Sequence, residues 1–135
     1  MTIFNDYKEP ILNSDDVSDP TFPLERQVTK GGTLAMWDQS LDPFIRVLEA
    51  PSSSILPLLL NVPGYAKSCH IGIYMPTAGQ DDNFVAALSD LESTICSVQD
   101  QYGEETIIFI RGDMNANSKN KARCHLLSTL ITKHA

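Results

Sequence analysis

The sequence predicts a mixed α/β domain, and three observations predict it. Between residues 33 and 75, short apolar runs alternate with Gly, Pro, Ser and Asn, the punctuation of strands and turns. From Asp81 the apolar spacing lengthens to that of a helix. A β-type run, Thr106 to Ile110, and a second helical period then follow. With 135 residues, 42% of them hydrophobic and 20% charged, the chain suits one domain and is too short for two ordinary ones, which excludes a multidomain enzyme.

Residues 1–30 hold Pro10, Pro20, Pro23 and the Asp15-Asp16 pair without a period of 2 or 3.6, so they are read as an irregular lead-in to a domain over 31–135. Gly31-Gly32 opens Thr33 to Trp37, a short apolar run that fits a strand buried on both faces. Pro43 starts a second strand, Phe44 to Leu48. A third, Ile55 to Val62, contains Pro57, which has no N–H to give a ladder and so assigns the segment to an edge or a bulge. His70 to Met75 alternates, placing Ile71, Ile73 and Met75 on one face and His70, Gly72 and Tyr74 on the other, before Pro76 ends it.

Phe84, Leu88, Leu91, Ile95, Val98 and Tyr102 are spaced 4, 3, 4, 3 and 4 apart, one stripe of a long helix. Asp81 and Asp82 suit its first turn, where free N–H groups and the helix dipole favour negative charge, and Gly103 suits its end. The Thr106 to Ile110 strand leads through a turn at Asn115 to Asn120 into a final helix with Ala122, Leu126, Leu127, Leu130 and Ile131 on one side. Two helices cover one face of a sheet of about five strands. Strands apolar on both faces require a layer on each.

Charge is divided along the chain. Residues 1–105 carry 5 basic against 16 acidic side chains, whereas residues 106–135 carry 5 against the single Asp113. An acidic domain is repelled by nucleic acid at long range, but a basic end beside a carboxylate can hold phosphate at short range. Cys69, Cys96 and Cys124 have no Cys-x-x-Cys spacing and are expected as buried thiols, outside any disulfide framework or cysteine zinc site. No stretch approaches the roughly 20 apolar residues of a membrane span, and Met1 to Asp6 is unlike a secretion signal. The expectation is no membrane and an intracellular location, the nucleus included.

The run Ile107-Ile108-Phe109-Ile110-Arg111-Gly112-Asp113-Met114-Asn115-Ala116-Asn117 sends a buried strand into Gly-Asp-x-Asn. A carboxylate and a carboxamide then stand at the open end of a sheet, with a glycine that lets backbone approach closely. Asp113 offers an acceptor to a water or a cation, and Asn115 offers both donor and acceptor to a phosphate. The same four residues also make a good structural turn.

The order of three landmarks resembles the middle of the endonuclease/exonuclease/phosphatase superfamily. These are Gly31-Gly32 before a strand, Ile73-Tyr74-Met75-Pro76-Thr77-Ala78-Gly79 at a strand end, and Arg111-Gly112-Asp113-Met114-Asn115-Ala116 after the long helix. The look is closest to endonuclease domains of non-long-terminal-repeat retrotransposons, in which a polar turn, an Arg and paired leucines follow; here these are Arg123, Leu126 and Leu127. The resemblance implies a four-layer αββα sandwich, Mg²⁺ or Mn²⁺, and cleavage of phosphodiester bonds, with DNA as the partner. It implies catalytic roles for Asp113, Asn115 and Tyr74, the metal at Asp113, and substrate contacts at Asn115 and Arg111. The family's upstream glutamate has no counterpart, Glu25 being a poor substitute, and neither has its closing Asp-His pair, His134 lying on a helix. The expected reading is therefore a partial, catalytically incomplete domain with exposed sheet edges open to self-association or complementation. The alternative is a non-catalytic α/β interaction or scaffold module.

Overall fold

The alternation from Cys69 to Met75 selects the strand around which the domain is built. The computed structural model describes residues 2–5, 33–117 and 119–134. Strands β1 (Thr2–Asn5) and β2 (Leu34–Trp37) form a two-stranded antiparallel sheet. A four-stranded mixed sheet has the order β3-β4-β5-β6, comprising β3 (Ile45–Val47), β4 (Ile55–Leu60), β5 (Ser68–Tyr74) and β6 (Ile107–Asp113). β3, β4 and β5 are antiparallel neighbours. β5 and β6 run parallel, as a connection through a helix permits, and that helix is α1 (Asp81–Tyr102). The second helix, α2, spans Lys121–Lys133.

Register assigns the faces. Ile55, Pro57 and Leu59 of β4 pair with Ile73, Ile71 and Cys69 of β5, and Ile108 and Ile110 of β6 share that side. Phe84, Ala87, Leu91, Ile95 and Val98 of α1 and Leu127 and Leu130 of α2 join the same buried cluster, so both helices cover this one face. The opposite face carries His70, Gly72 and Tyr74 beside Ile107, Phe109, Arg111 and Asp113. Here Ile107 and Phe109 are 45% and 39% exposed. Among the described residues β6 is one of the two edge strands and has one covered side. It is not the buried strand expected from its composition.

Other expectations shift for physical reasons. Thr2–Asn5, inside the expected irregular lead-in, is a strand; Gly31-Gly32 and Glu25 lie outside the described residues. β2 pairs with β1, outside the four-stranded sheet, so Leu34 and Met36 are 58% and 59% exposed and the strand is not buried on both faces. Asp38 accepts from the Ser40 N–H at 2.9 Å and caps a 3-10 helix over Gln39–Phe44, which takes up Phe44 and shortens the expected second strand. Pro57 sits in an interior strand, neither at an edge nor as a bulge. Its carbonyl accepts from the Leu48 N–H at 2.9 Å, so its missing donor falls where β3 has already ended.

The long helix follows its stripe and ends at Gly103, whose N–H donates to the Gln99 carbonyl at 2.9 Å with φ +105°. Leu88 and Tyr102 pack at the margin of the core while Ala87 and Thr94 are buried, a small rotation of the expected face. In α2 the rotation is larger. Arg123, Leu127 and Leu130 are buried, whereas Ala122, Leu126 and Ile131 are exposed, contrary to the expected apolar side. Arg123 has claimed the inner face.

Candidate functional site

Where two parallel strands end side by side, the loops that follow them converge, and the outer ends of such strands are the usual place for ligands. Tyr74 and Asp113 are the last residues of β5 and β6 and are Cα partners in register. Both project from the sheet face opposite the helices and both are exposed, Tyr74 by 37%. Gly112 permits this approach. Its φ is +137°, and a Cβ there would run into the Ile73 carbonyl oxygen.

The turn after β6 is stitched to the exit of β5. Asp113 Oδ1 accepts from the Asn115 backbone N–H at 3.0 Å, an Asx turn, and Asn115 takes φ +44°, which asparagine tolerates better than most residues. The Asn115 side-chain amide donates to the Met75 carbonyl at 2.5 Å, and the Met75 N–H donates to the Asp113 carbonyl at 2.9 Å. Tyr74 and the Asp113–Asn115 turn, distant in sequence, therefore meet at one corner. Arg111 precedes them on the same face, exposed, with its guanidinium 5.9 Å from the centre of the Phe109 ring. Its charge lies toward Phe109 and is felt by His70, two residues back along the same face.

No family model, curated protein or solved structure matches this chain. The site is therefore read from its own geometry. Among the described residues, no group of three or more His, Cys, Asp or Glu side chains comes together to hold a metal ion. Asp113 supplies one carboxylate, and one of its oxygens already accepts from Asn115. A hard divalent cation asks for several oxygen ligands, so the described residues form at most part of a donor set.

The neighbouring His70 stacks on Phe109 with ring centroids 4.8 Å apart, and its Nε2 lies 3.2 Å from the Ser68 hydroxyl. Burial, then the charge of Arg111, lower its pKa from 6.5, so it stands neutral at pH 7, four residues before Tyr74 on the same strand face. His125 is exposed on α2, and His134 Nε2 lies 3.3 Å from Glu92 Oε1 at the far end of that helix, paired with α1 and not with the corner. Cys69 is fully buried, and burial pushes its thiol up to about 11; Cys96 and Cys124 are only half-buried.

Arg123 is the residue whose part the sequence concealed. It sits in a basic segment and is 2% exposed. Its Nη1 donates to the carbonyls of Pro76 at 2.6 Å and Asn115 at 3.2 Å, and its Nη2 to that of Thr77 at 3.0 Å. Nε and Nη2 both reach Asp81 Oδ1, at 3.0 and 2.9 Å, and the guanidinium lies 4.3 Å from the centre of the Phe84 ring. Besides its place as the Arg after the polar turn, its spacing was a signal: Arg123 is four residues before Leu127, on the stripe that Leu127 and Leu130 share. Among the described residues, no helix is long and apolar enough to cross a membrane.

Proposed function

We propose that the corner formed by Tyr74, Asp113 and Asn115 is a phosphoester site of the endonuclease/exonuclease/phosphatase type, acting on a nucleic-acid phosphodiester. The observation that carries this is the in-register placement of Tyr74 and Asp113 at the ends of parallel strands, with the Asn115 turn hydrogen-bonded across to Met75. In this reading Asp113 aims a water or binds Mg²⁺ or Mn²⁺, Asn115 and Arg111 hold the phosphate, and the Tyr74 hydroxyl lies beside the leaving oxygen. The metal would neutralise phosphate charge. Asp113 alone offers it too few ligands, so hydrolysis would require further ligating groups. The open sheet face, with Ile107 and Phe109 exposed, is where the second sheet of a four-layer sandwich would pack.

A second reading, a non-catalytic interaction module, is favoured by the fact that Asp113 Oδ1 and the Asn115 amide are already engaged within the turn.

Binding of a fluorescent oligonucleotide in Mg²⁺, run beside nicking of supercoiled plasmid, separates the two. The phosphoester reading expects binding that Arg111→Ala and Asn115→Ala each weaken by about tenfold, and any nicking to be lost in Asp113→Ala. Binding indifferent to all three substitutions, in proteins shown to be folded, would leave only the interaction module.

A further inference from the structure

We infer that Arg123 is the positioning residue of this corner, holding the Asp113–Asn115 turn at a fixed distance from the Tyr74 strand end through main-chain carbonyls. The inference rests on reading that corner as the site. The ion pair with Asp81 does not carry the task, because the Asp81 side chain is 76% exposed and an ion pair open to water holds little. What constrains the buried guanidinium is its set of three part-buried main-chain acceptors. Pro76 and Thr77 belong to the loop that leaves β5 just after Tyr74, and Asn115 belongs to the turn that leaves β6 just after Asp113. One planar group, set against the Phe84 ring, thus joins both loops, while Tyr74 and Asp113 lie on the sheet face opposite the helices.

The geometry requires arginine. Its fork presents donors in one plane, so Nη1 bridges the two loops while Nη2 holds the Thr77 carbonyl. A lysine ammonium in the same place keeps the charge, and with it the Asp81 pairing. It cannot lie flat on Phe84 and bridge Pro76 to Asn115 at once. Substitution by lysine therefore separates charge from fork.

The test reads Asn115 directly by ¹⁵N NMR, since its side-chain amide is hydrogen-bonded to Met75 only while the turn is in place. In Arg123→Lys the Asn115 side-chain amide resonances should move to free-amide positions and exchange about tenfold faster with solvent, while the core amides of Ile71, Leu91 and Ile95 stay unmoved. Asp81→Asn should leave the Asn115 resonances in place. An Arg123→Lys protein with unchanged Asn115 resonances, or one in which Asp81→Asn moves them equally, overturns the inference. Should Arg123→Lys fail to fold, the wild-type guanidinium decides: separate Nη resonances mean a locked fork, and one averaged resonance means none. Titration with inorganic phosphate tests the underlying reading apart from this. A phosphate-induced shift at Asn115 supports the site, and its absence removes the site while Arg123→Lys still decides the clamp.

Discussion

Arg123 on α2 and Asn115 in the turn after β6 are joined through backbone, the guanidinium Nη1 donating to the Asn115 carbonyl at 3.2 Å. The same nitrogen donates to the Pro76 carbonyl at 2.6 Å, so one residue of α2 bonds both the loop after β5 and the turn after β6. A basic residue in a basic segment has become, among the described residues, the most enclosed of the polar side chains, at 2% exposure.

Removing that side chain leaves three carbonyls short of donors and Phe84 short of its cover. Arg123→Met should cost about 3 kcal/mol of stability, because breaking one side of a buried charged network strands its partners. Asp81→Asn, at an exposed position that keeps an acceptor oxygen, should cost about 1 kcal/mol or less. Urea unfolding of both variants measures the contrast, and equal losses would mean that the ion pair dominates.

Two glycines with positive φ should respond differently to alanine. Gly79 at φ +85° has nothing near its missing Cβ, so only backbone strain applies, about 1 kcal/mol. Gly112 combines φ +137° with the Ile73 carbonyl in the path of a Cβ, so Gly112→Ala must push β6 from β5. A loss above about 3 kcal/mol is expected there, together with loss of the Tyr74–Asp113 register, read by NMR contacts between the two strands.

The rotated face of α2 can be checked with neighbouring leucines. Leu127 is 7% exposed within the core cluster, and Leu127→Ala should cost about 3 kcal/mol. Leu126, at 38%, should cost about 0.5 kcal/mol on the same truncation. Thermal unfolding distinguishes them, and a reversed order would place the other stripe inside.

His70 gives a pH dependence of definite sign. Burial and the Arg111 charge lower its native pKa from 6.5, so as pH falls the unfolded chain binds the proton before the native chain does. The stability this residue contributes is whole above pH 6.5 and is lost as the pH falls through its lowered native value. Urea midpoints between about pH 7.5 and pH 5 should decline, and His70→Gln should flatten that part of the curve.

Thiol accessibility offers an independent check on the core. Cys69, fully buried with its thiol pushed up to about 11, should resist a disulfide reagent until the protein unfolds, whereas the half-buried Cys96 and Cys124 react in the native state. Rapid native labelling of Cys69 would show that the central strand opens.

From Ile55 onward the elements themselves were legible, whereas the Thr2–Asn5 strand and the 3-10 helix were not. The period of His70 to Met75 put Ile71, Ile73 and Met75 on one face, which proves to be the buried one, and the stripe from Phe84 foretold α1 and its end at Gly103, because local periodicity is written in consecutive residues. Pro57 misled, since whether a missing N–H matters depends on which neighbour strand it faces. α2 misled as well. Counting apolar residues put Leu126 and Ile131 inside, but the carbonyls of Pro76, Thr77 and Asn115 drew Arg123 inward and turned the helix around it.

At the candidate site the division is the same. The sequence alone determined which groups stand there: a tyrosine at one strand end and an Asp-x-Asn turn at another, each set by local residue order. That Tyr74 stands beside Asp113 was decided by the tertiary structure, through the parallel crossover that brings β6 next to β5 in one register. That the Asn115 turn is held there was decided by an arginine from a third element. Pairing of strands across α1 and desolvation of a guanidinium are contacts between residues far apart in the chain, and local periodicity carries no record of them.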